Sequence, residues 1–155
     1  MGNFKRSVLV VLILLLNGCD GKTKSKPVTV STDPTVNSFI EIMNAHRDDI
    51  GCPELTWDPD LAGVAQDHSE DMDENSYLDH TNLQGKTPFD RMNDNDILYS
   101  AAGENIALAG EGAQAVFDAW MESPGHKANI ENCSYTHHGV GLEGAYWTHM
   151  FMVPR

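Results

Sequence analysis

The chain has 155 residues, of which 23 are acidic and 10 basic, giving a formal net charge of −13. That length fits one domain behind a leader. The acidity excludes nucleic acid and anionic membrane surfaces as partners held by charge, because such surfaces are gripped by lysine and arginine. It fits a body bathed in water, or one that collects cations.

Lys5-Arg6 opens a short basic segment, the apolar run Val8 to Leu16 follows, and Leu16-Asn17-Gly18-Cys19 closes it. A basic start, a short apolar run and a small residue at the cut describe a secretory signal over residues 1–18. At about 1.5 Å per residue the run cannot cross a hydrocarbon core of roughly 30 Å, so a spanning helix is rejected. The Leu-x-Gly-Cys ending resembles the lipobox of bacterial lipoproteins. That resemblance implies cleavage before Cys19, acylation of its thiol and a membrane partner reached through the lipid, with each buried methylene contributing about 0.8 kcal/mol. Asp20 resembles the inner-membrane retention signal of enterobacterial lipoproteins, which favours the periplasmic face of that membrane. Residues 19–34 carry Gly, Lys, Ser, Thr and Pro with little apolar content and read as a flexible tether. One domain then fills 35–155.

With Cys19 acylated, Cys52 and Cys133 remain, 81 residues apart. Two thiols in an oxidising compartment pair, and closing such a loop is worth about 4–5 kcal/mol on the chain-entropy model. The alternative is two free buried thiols.

Asp33-Pro34 is an N-cap followed by proline at the first helical position, and Val36, Phe39, Ile40, Met43 and Ile50 recur at helical spacing before Gly51. Arg47 falls within that apolar stripe, which predicts pairing to a buried carboxylate. Asp58-Pro59 repeats the start signal, and Leu61, Val64, Ala65, His68 and Met72 form the next apolar face. His68 reads there as a satisfied core histidine. Thr87-Pro88 starts a short helix through Phe89 and Arg91. Residues 97–108 predict a strand, Ala113 to Met121 a helix, and Ser123-Pro124 the cap of another short helix carrying His126. Two strands, 137–142 and 145–153, close the chain with a turn at Glu143-Gly144. In the last one Trp147, Phe151 and Val153 point one way, while Tyr146, Met150 and Met152 point the other. A strand apolar on both faces must be covered on both, and helices are the available covers. The expected fold is therefore α+β, a three-layer α/β/α sandwich around a small antiparallel sheet.

Asn44-Ala45-His46-Arg47, Leu55-Thr56-Trp57-Asp58, Ala65-Gln66-Asp67-His68-Ser69, Asp79-His80-Thr81, Gly103-Glu104-Asn105-Ile106, Trp120 through His126 and Gly139-Val140-Gly141 occur in that order. Together they resemble the bacterial branch of the CAP superfamily of cysteine-rich secretory, antigen five and pathogenesis-related proteins, also called SCP-like extracellular proteins, over about residues 36–153. The resemblance implies the same α/β/α sandwich. Eukaryotic members are similar in carrying two histidines and two glutamates in a central cleft, sometimes with a divalent metal. His80 matches the first histidine and Glu104 the first glutamate. The place of the second glutamate falls on Ser123, beside Glu122. The second histidine belongs to a segment this chain lacks, and the bacterial Ser-Pro-Gly-His pattern puts His126 in its stead.

Two imidazoles and a carboxylate, His80, His126 and Glu104, suit a divalent metal such as zinc. A histidine in the first turn of a helix is kept neutral by the helix dipole, as a metal ligand or general base must be. The alternative is a hydrogen-bonded cluster in which Glu104 orients His80. His137, His138 and His149 form a second group. With the turn at Glu143-Gly144, His138 faces His149 across the hairpin, about 5 Å away, either sharing a proton or metal or standing as a solvated polar pair. Nucleophile elbow, phosphate loop and cysteine metal motif are all missing from the sequence. The expected function is an envelope binding module that holds a small molecule, lipid or protein around His80, Glu104 and His126. The alternative is a metal-dependent hydrolase of an envelope peptide or glycan with Glu104 as general base.

Overall fold

The computed structural model describes residues 31–110 and 112–155; the signal, Cys19, Asp20 and most of the tether lie outside them. The elements are α1 (Pro34–Asp49), β1 (Thr56–Trp57), α2 (Pro59–Asn75), α3 (Pro88–Asp94), β2 (Tyr99–Leu108), α4 (Ala113–Glu122), α5 (Pro124–Ile130), β3 (His137–Glu143) and β4 (Tyr146–Pro154). The start signals act as read. The Asp33 carboxylate accepts from the Thr35 and Val36 amides, and Asp58 accepts from the Leu61 amide at 2.8 Å. Thr87 and Asp90 close a reciprocal capping box on α3. Each such cap is worth about 1 kcal/mol. Ser123 stands at the start of α5, but its side chain makes no capping bond, which corrects that expectation.

The sheet order is β1-β3-β4-β2. β3 pairs antiparallel with β4, and β4 with β2, whereas β1 pairs parallel with β3. The sheet is thus mixed, not purely antiparallel. A two-residue strand carries no periodicity, so β1 left no trace in the hydrophobic pattern. The hairpin turn is Gly144-Ala145, one residue later than expected, with Gly144 at φ +55°. This is the left-handed region that glycine enters without penalty.

Both faces of β4 are covered, giving three layers. Trp147 and Phe151 pack with Val36, Phe39 and Met43 of α1 and with Val116, Phe117 and Trp120 of α4. Met150 and Met152 pack with Leu61, Val64 and Ala65 of α2 and Met92 of α3. The approach of α2 to β3 is unusually close. A Cβ on Gly139 would stand 2.2 Å from the Ala62 nitrogen, and one on Gly141 would stand 2.4 Å from the Ala65 carbonyl carbon. Only glycine lets helix backbone lie directly on strand here.

Arg47 is fully buried and meets no carboxylate among the described residues. It donates to the carbonyls of Pro53, Ile130, Asn132 and Tyr135 at 2.7–3.3 Å. Five N–H donors on a planar fork suit carbonyls converging from several loops. Burial still lowers its pKa. At the same corner Cys52 and Cys133 form a disulfide, with Cα atoms 4.9 Å apart.

Candidate functional site

β2 is an edge strand, and its alternation sends successive side chains into different layers. Glu104 goes to the side of α2 and α3, Asn105 to the side of α4 and α5. The Glu104 side chain is 2% exposed. Its Oε1 accepts from His80 Nδ1 at 2.8 Å, and its Oε2 accepts from Arg91 Nη2. Arg91 also donates through Nη1 to the His80 and Lys86 carbonyls, so one guanidinium fixes both the carboxylate and the loop that carries its histidine. The buried carboxylate is therefore held between two cationic donors, the arrangement that makes such burial tolerable. The bond to Glu104 raises the His80 pKa against the opposing effect of burial. The His80 side chain is nonetheless half exposed, so an imidazole biased toward its charged form faces water at the sheet margin.

On the other side of the strand, Asn105 donates to the His126 carbonyl at 3.0 Å. Asn129 donates both to Asn105 Oδ1 and to the Glu104 carbonyl. A Cβ on Gly103 would lie 2.6 Å from the Tyr135 hydroxyl and 2.9 Å from Asn129. Gly103-Glu104-Asn105 thus has one task per residue: close approach, ion pairing, and fastening α5. The His126 pKa is lowered first by burial and then by the charge of His80, and its ring stands against Trp120 with centroids 6.4 Å apart. It shares no hydrogen bond with His80 or Glu104. The structure therefore joins His80 to Glu104 directly and brings His126 only within range of His80's charge. Arg91, Asn105 and Asn129 complete the arrangement. In the sequence Asn105 stands inside a family motif and Arg91 on a short helix, but neither pattern assigns the residue a role.

The three residues do not fit zinc as they stand. Both Glu104 oxygens are committed, one of them to a buried guanidinium that a divalent cation would have to displace. Among the described residues no group of three or more His, Cys, Asp or Glu side chains is placed to hold a metal.

The second histidine group divides. His137 is half-buried and its ring bonds the Thr136 hydroxyl. His138 and His149 are fully buried, with Nδ1 of one 3.1 Å from Nε2 of the other, so they are not a solvated pair. They meet diagonally rather than face to face: His138 pairs in register with Phe151, and His149 with Val140, because the turn is displaced. Trp57, Phe39, Trp120 and Phe151 surround them. Burial drives the His138 pKa down to about 3 and that of His149 well below its usual value. His138 Nε2 and His149 Nδ1 have no partner among the described residues.

His68 is satisfied at one nitrogen only. Its Nε2 lies 3.0 Å from the Asp79 carbonyl, which must accept a proton, so Nδ1 carries the lone pair, and that atom is buried without a partner. Ser69 next to it bonds Thr148 at 3.0 Å, not the histidine. Two cavities border α2. One of about 290 Å³ includes His68 and Arg91 in its wall; the other, about 560 Å³, lies between the start of α1, Trp57 and α2. Neither is lined by His80, Glu104 or His126, so the candidate site is a surface cluster whose Arg91 backs onto the smaller cavity.

Three layers, a mixed four-stranded sheet and an acid–histidine pair on its edge strand define an α+β sandwich of the CAP fold. The profile of that family, described as CAP: cysteine-rich secretory protein family, matches residues 40–151, and the chain belongs to it. It is 39% identical over 132 residues to the uncharacterised protein YkwD of Bacillus subtilis, a match covering 84% of this chain and 51% of that protein. It is 36% identical to the uncharacterised membrane protein YlbC of the same organism, over 74% of this chain and 33% of that one. The chain thus spans about half the length of the first relative and a third of the second. Among solved structures, an extracellular protein containing an SCP domain from Bacillus anthracis superposes with a TM-score of 0.72 at 33% identity, over 75% of this chain and 39% of that one. An outer surface protein of Borrelia burgdorferi gives 0.74 at 23% identity, over 84% of this chain and 100% of that one, a likeness of fold.

Proposed function

We propose that this chain is an exported CAP-domain protein, tethered to a membrane by lipid on Cys19, that binds an envelope component at the His80–Glu104–Arg91 cluster. The observation that carries the binding reading is the half-exposed His80, bonded to a buried Glu104 that raises its pKa and whose other oxygen is taken by Arg91. The cluster offers a fixed N–H donor to a ligand carboxylate, phosphate or carbonyl. A general base needs a free carboxylate oxygen, and Glu104 has none to spare. The extracellular and outer-surface names of the two solved relatives, and the membrane protein among the curated ones, support a location outside the cytoplasm.

The test uses isolated cell envelopes and the purified domain. Wild type co-sediments with them, and His80→Gln loses at least tenfold in affinity while remaining folded. Release of peptidoglycan or casein fragments that vanishes in Glu104→Gln would replace the binding reading by the hydrolase. The anchor has its own test: Cys19→Ala should move the protein from the membrane to the soluble fraction, and an unchanged distribution removes the lipid.

A further inference from the structure

The larger hollow, about 560 Å³, lies at the edge of the sheet where β1 stops. β1 covers β3 only as far as His138, and β3 runs on to Glu143. A parallel ladder takes the N–H and C=O of every second residue, so alternate residues turn both groups to the same side. The His138 carbonyl accepts from the Asp58 amide at 2.9 Å. At Leu142 the main-chain amide donates to Gln66 Oε1 at 3.0 Å, and the carbonyl accepts from Gln66 Nε2 at 3.2 Å. One side-chain amide thus stands in for a neighbouring strand there. Val140 lies between these two residues, so its own N–H and C=O point the same way, into the gap between Trp57 and Gln66. β1 ends too early to meet them. Main-chain groups of a buried residue such as Val140 ordinarily find a partner. Val36, Trp57 and Leu142 give the hollow apolar surface, and Ser31 and Thr32 line it as well.

We propose that this slot is a strand-addition site whose occupant is Val28-Thr29-Val30 of the same chain, laid along the open edge of β3. Covalent connection already brings the segment there. Ser31 belongs to the wall of the hollow, and the next Cα back along the chain lies about 3.8 Å from its own. Ser31 is held in place by a reciprocal pair of bonds with Asn37, its amide donating to Oδ1 at 3.0 Å and its carbonyl accepting from Nδ2 at 2.8 Å. The segment has the right chemistry. Valine and threonine are strand formers, and a chain added to a sheet edge is gripped through its main chain while apolar walls take alternate side chains. Charge favours the approach, because Lys22, Lys24 and Lys26 stand just ahead of the segment in a chain whose net charge is −13. The hollow has room for a few residues of extended chain and not for a helix. With the segment seated, the sheet gains a strand beside β3, and only residues 20–27 separate Cys19 from the folded body.

Amide hydrogen exchange, read by NMR on the mature chain in detergent micelles, tests this. The Val140 amide should exchange at least about tenfold more slowly in wild type than in a Val28→Asp/Val30→Asp variant. Gly139 and Gly141, whose amides face β4, should exchange alike in the two proteins and so report that the variant is folded. Wild type should also show nuclear Overhauser contacts from residues 28–30 to Trp57 or Val140. A synthetic peptide of residues 22–31 added to the variant should restore the protection. Equal Val140 exchange in the two proteins overturns the proposal, as does the absence of those contacts. Protection in wild type that is lost on dilution overturns it too, by assigning the slot to a second copy of the chain. None of these outcomes bears on the His80 cluster, which shares no residue with the slot.

Discussion

His80 and the His138–His149 pair place the same side chain in two opposite electrostatic states a short way apart in one small domain. His80 is half exposed, bonded to a carboxylate, and pushed toward the charged form. The pair is sealed among aromatic rings, each imidazole has only the other, and both are pushed toward the neutral form. The difference lies in the partner. A buried Glu104 overrides desolvation at His80, whereas a second imidazole gives no such relief and adds repulsion.

The largest expected effect comes from removing the partner's own support. Arg91→Ala leaves Glu104 buried with one cation instead of two and frees the His80 loop, and should destabilise the domain by about 3–5 kcal/mol. Urea denaturation measures it; a loss under about 1 kcal/mol would mean that the carboxylate does not need the guanidinium. Next is acid. An unfolded histidine binds a proton near 6.5, but folded His138 binds one only at about 3, so between those values the unfolded state holds more protons and stability falls as the pH falls. The pair should give a slope of up to about 1.4 kcal/mol per pH unit per histidine, starting below about pH 6.5. Urea midpoints at about pH 7, 6 and 5 would read it, and His138→Phe should flatten it. The smallest effect is at His80, whose raised pKa makes its contribution complete below about 6.5 and lost as the pH rises through its folded value. By NMR it should titrate above 6.5 in wild type and fall back in Glu104→Gln. Equal values in the two proteins would break the contrast.

Much of this architecture could be read from residue order. The two-faced β4 required helices on both sides, and the Asp-Pro pairs located α1 and α2. His80 and Glu104 were found through their motifs. What escaped reading has physical causes. Arg47 is satisfied by main-chain carbonyls, which leave no residue-specific mark, so the expected carboxylate partner was the wrong inference. Arg91 sat in a seven-residue helix too short to display a face, and its guanidinium acts across a loop. The displaced turn moved His149 two positions from the expected register, and only the reach of the imidazoles restored the contact diagonally. β1 is visible solely through pairing with a strand about 80 residues later.

The bare backbone seam at Gly139 and Gly141 has a consequence for how ligands could be accommodated. With nothing cushioning it from β3, α2 cannot rock or slide without collision. Yet α2 supplies Asp67, His68 and Asp71 to one hollow, and Ala62, Gly63 and Gln66 to the other. Each hollow therefore has one wall bolted in place, and any adjustment to an occupant must come from the opposite side: from the 82–86 loop and α3 in the smaller, and from the first residues of the domain in the larger.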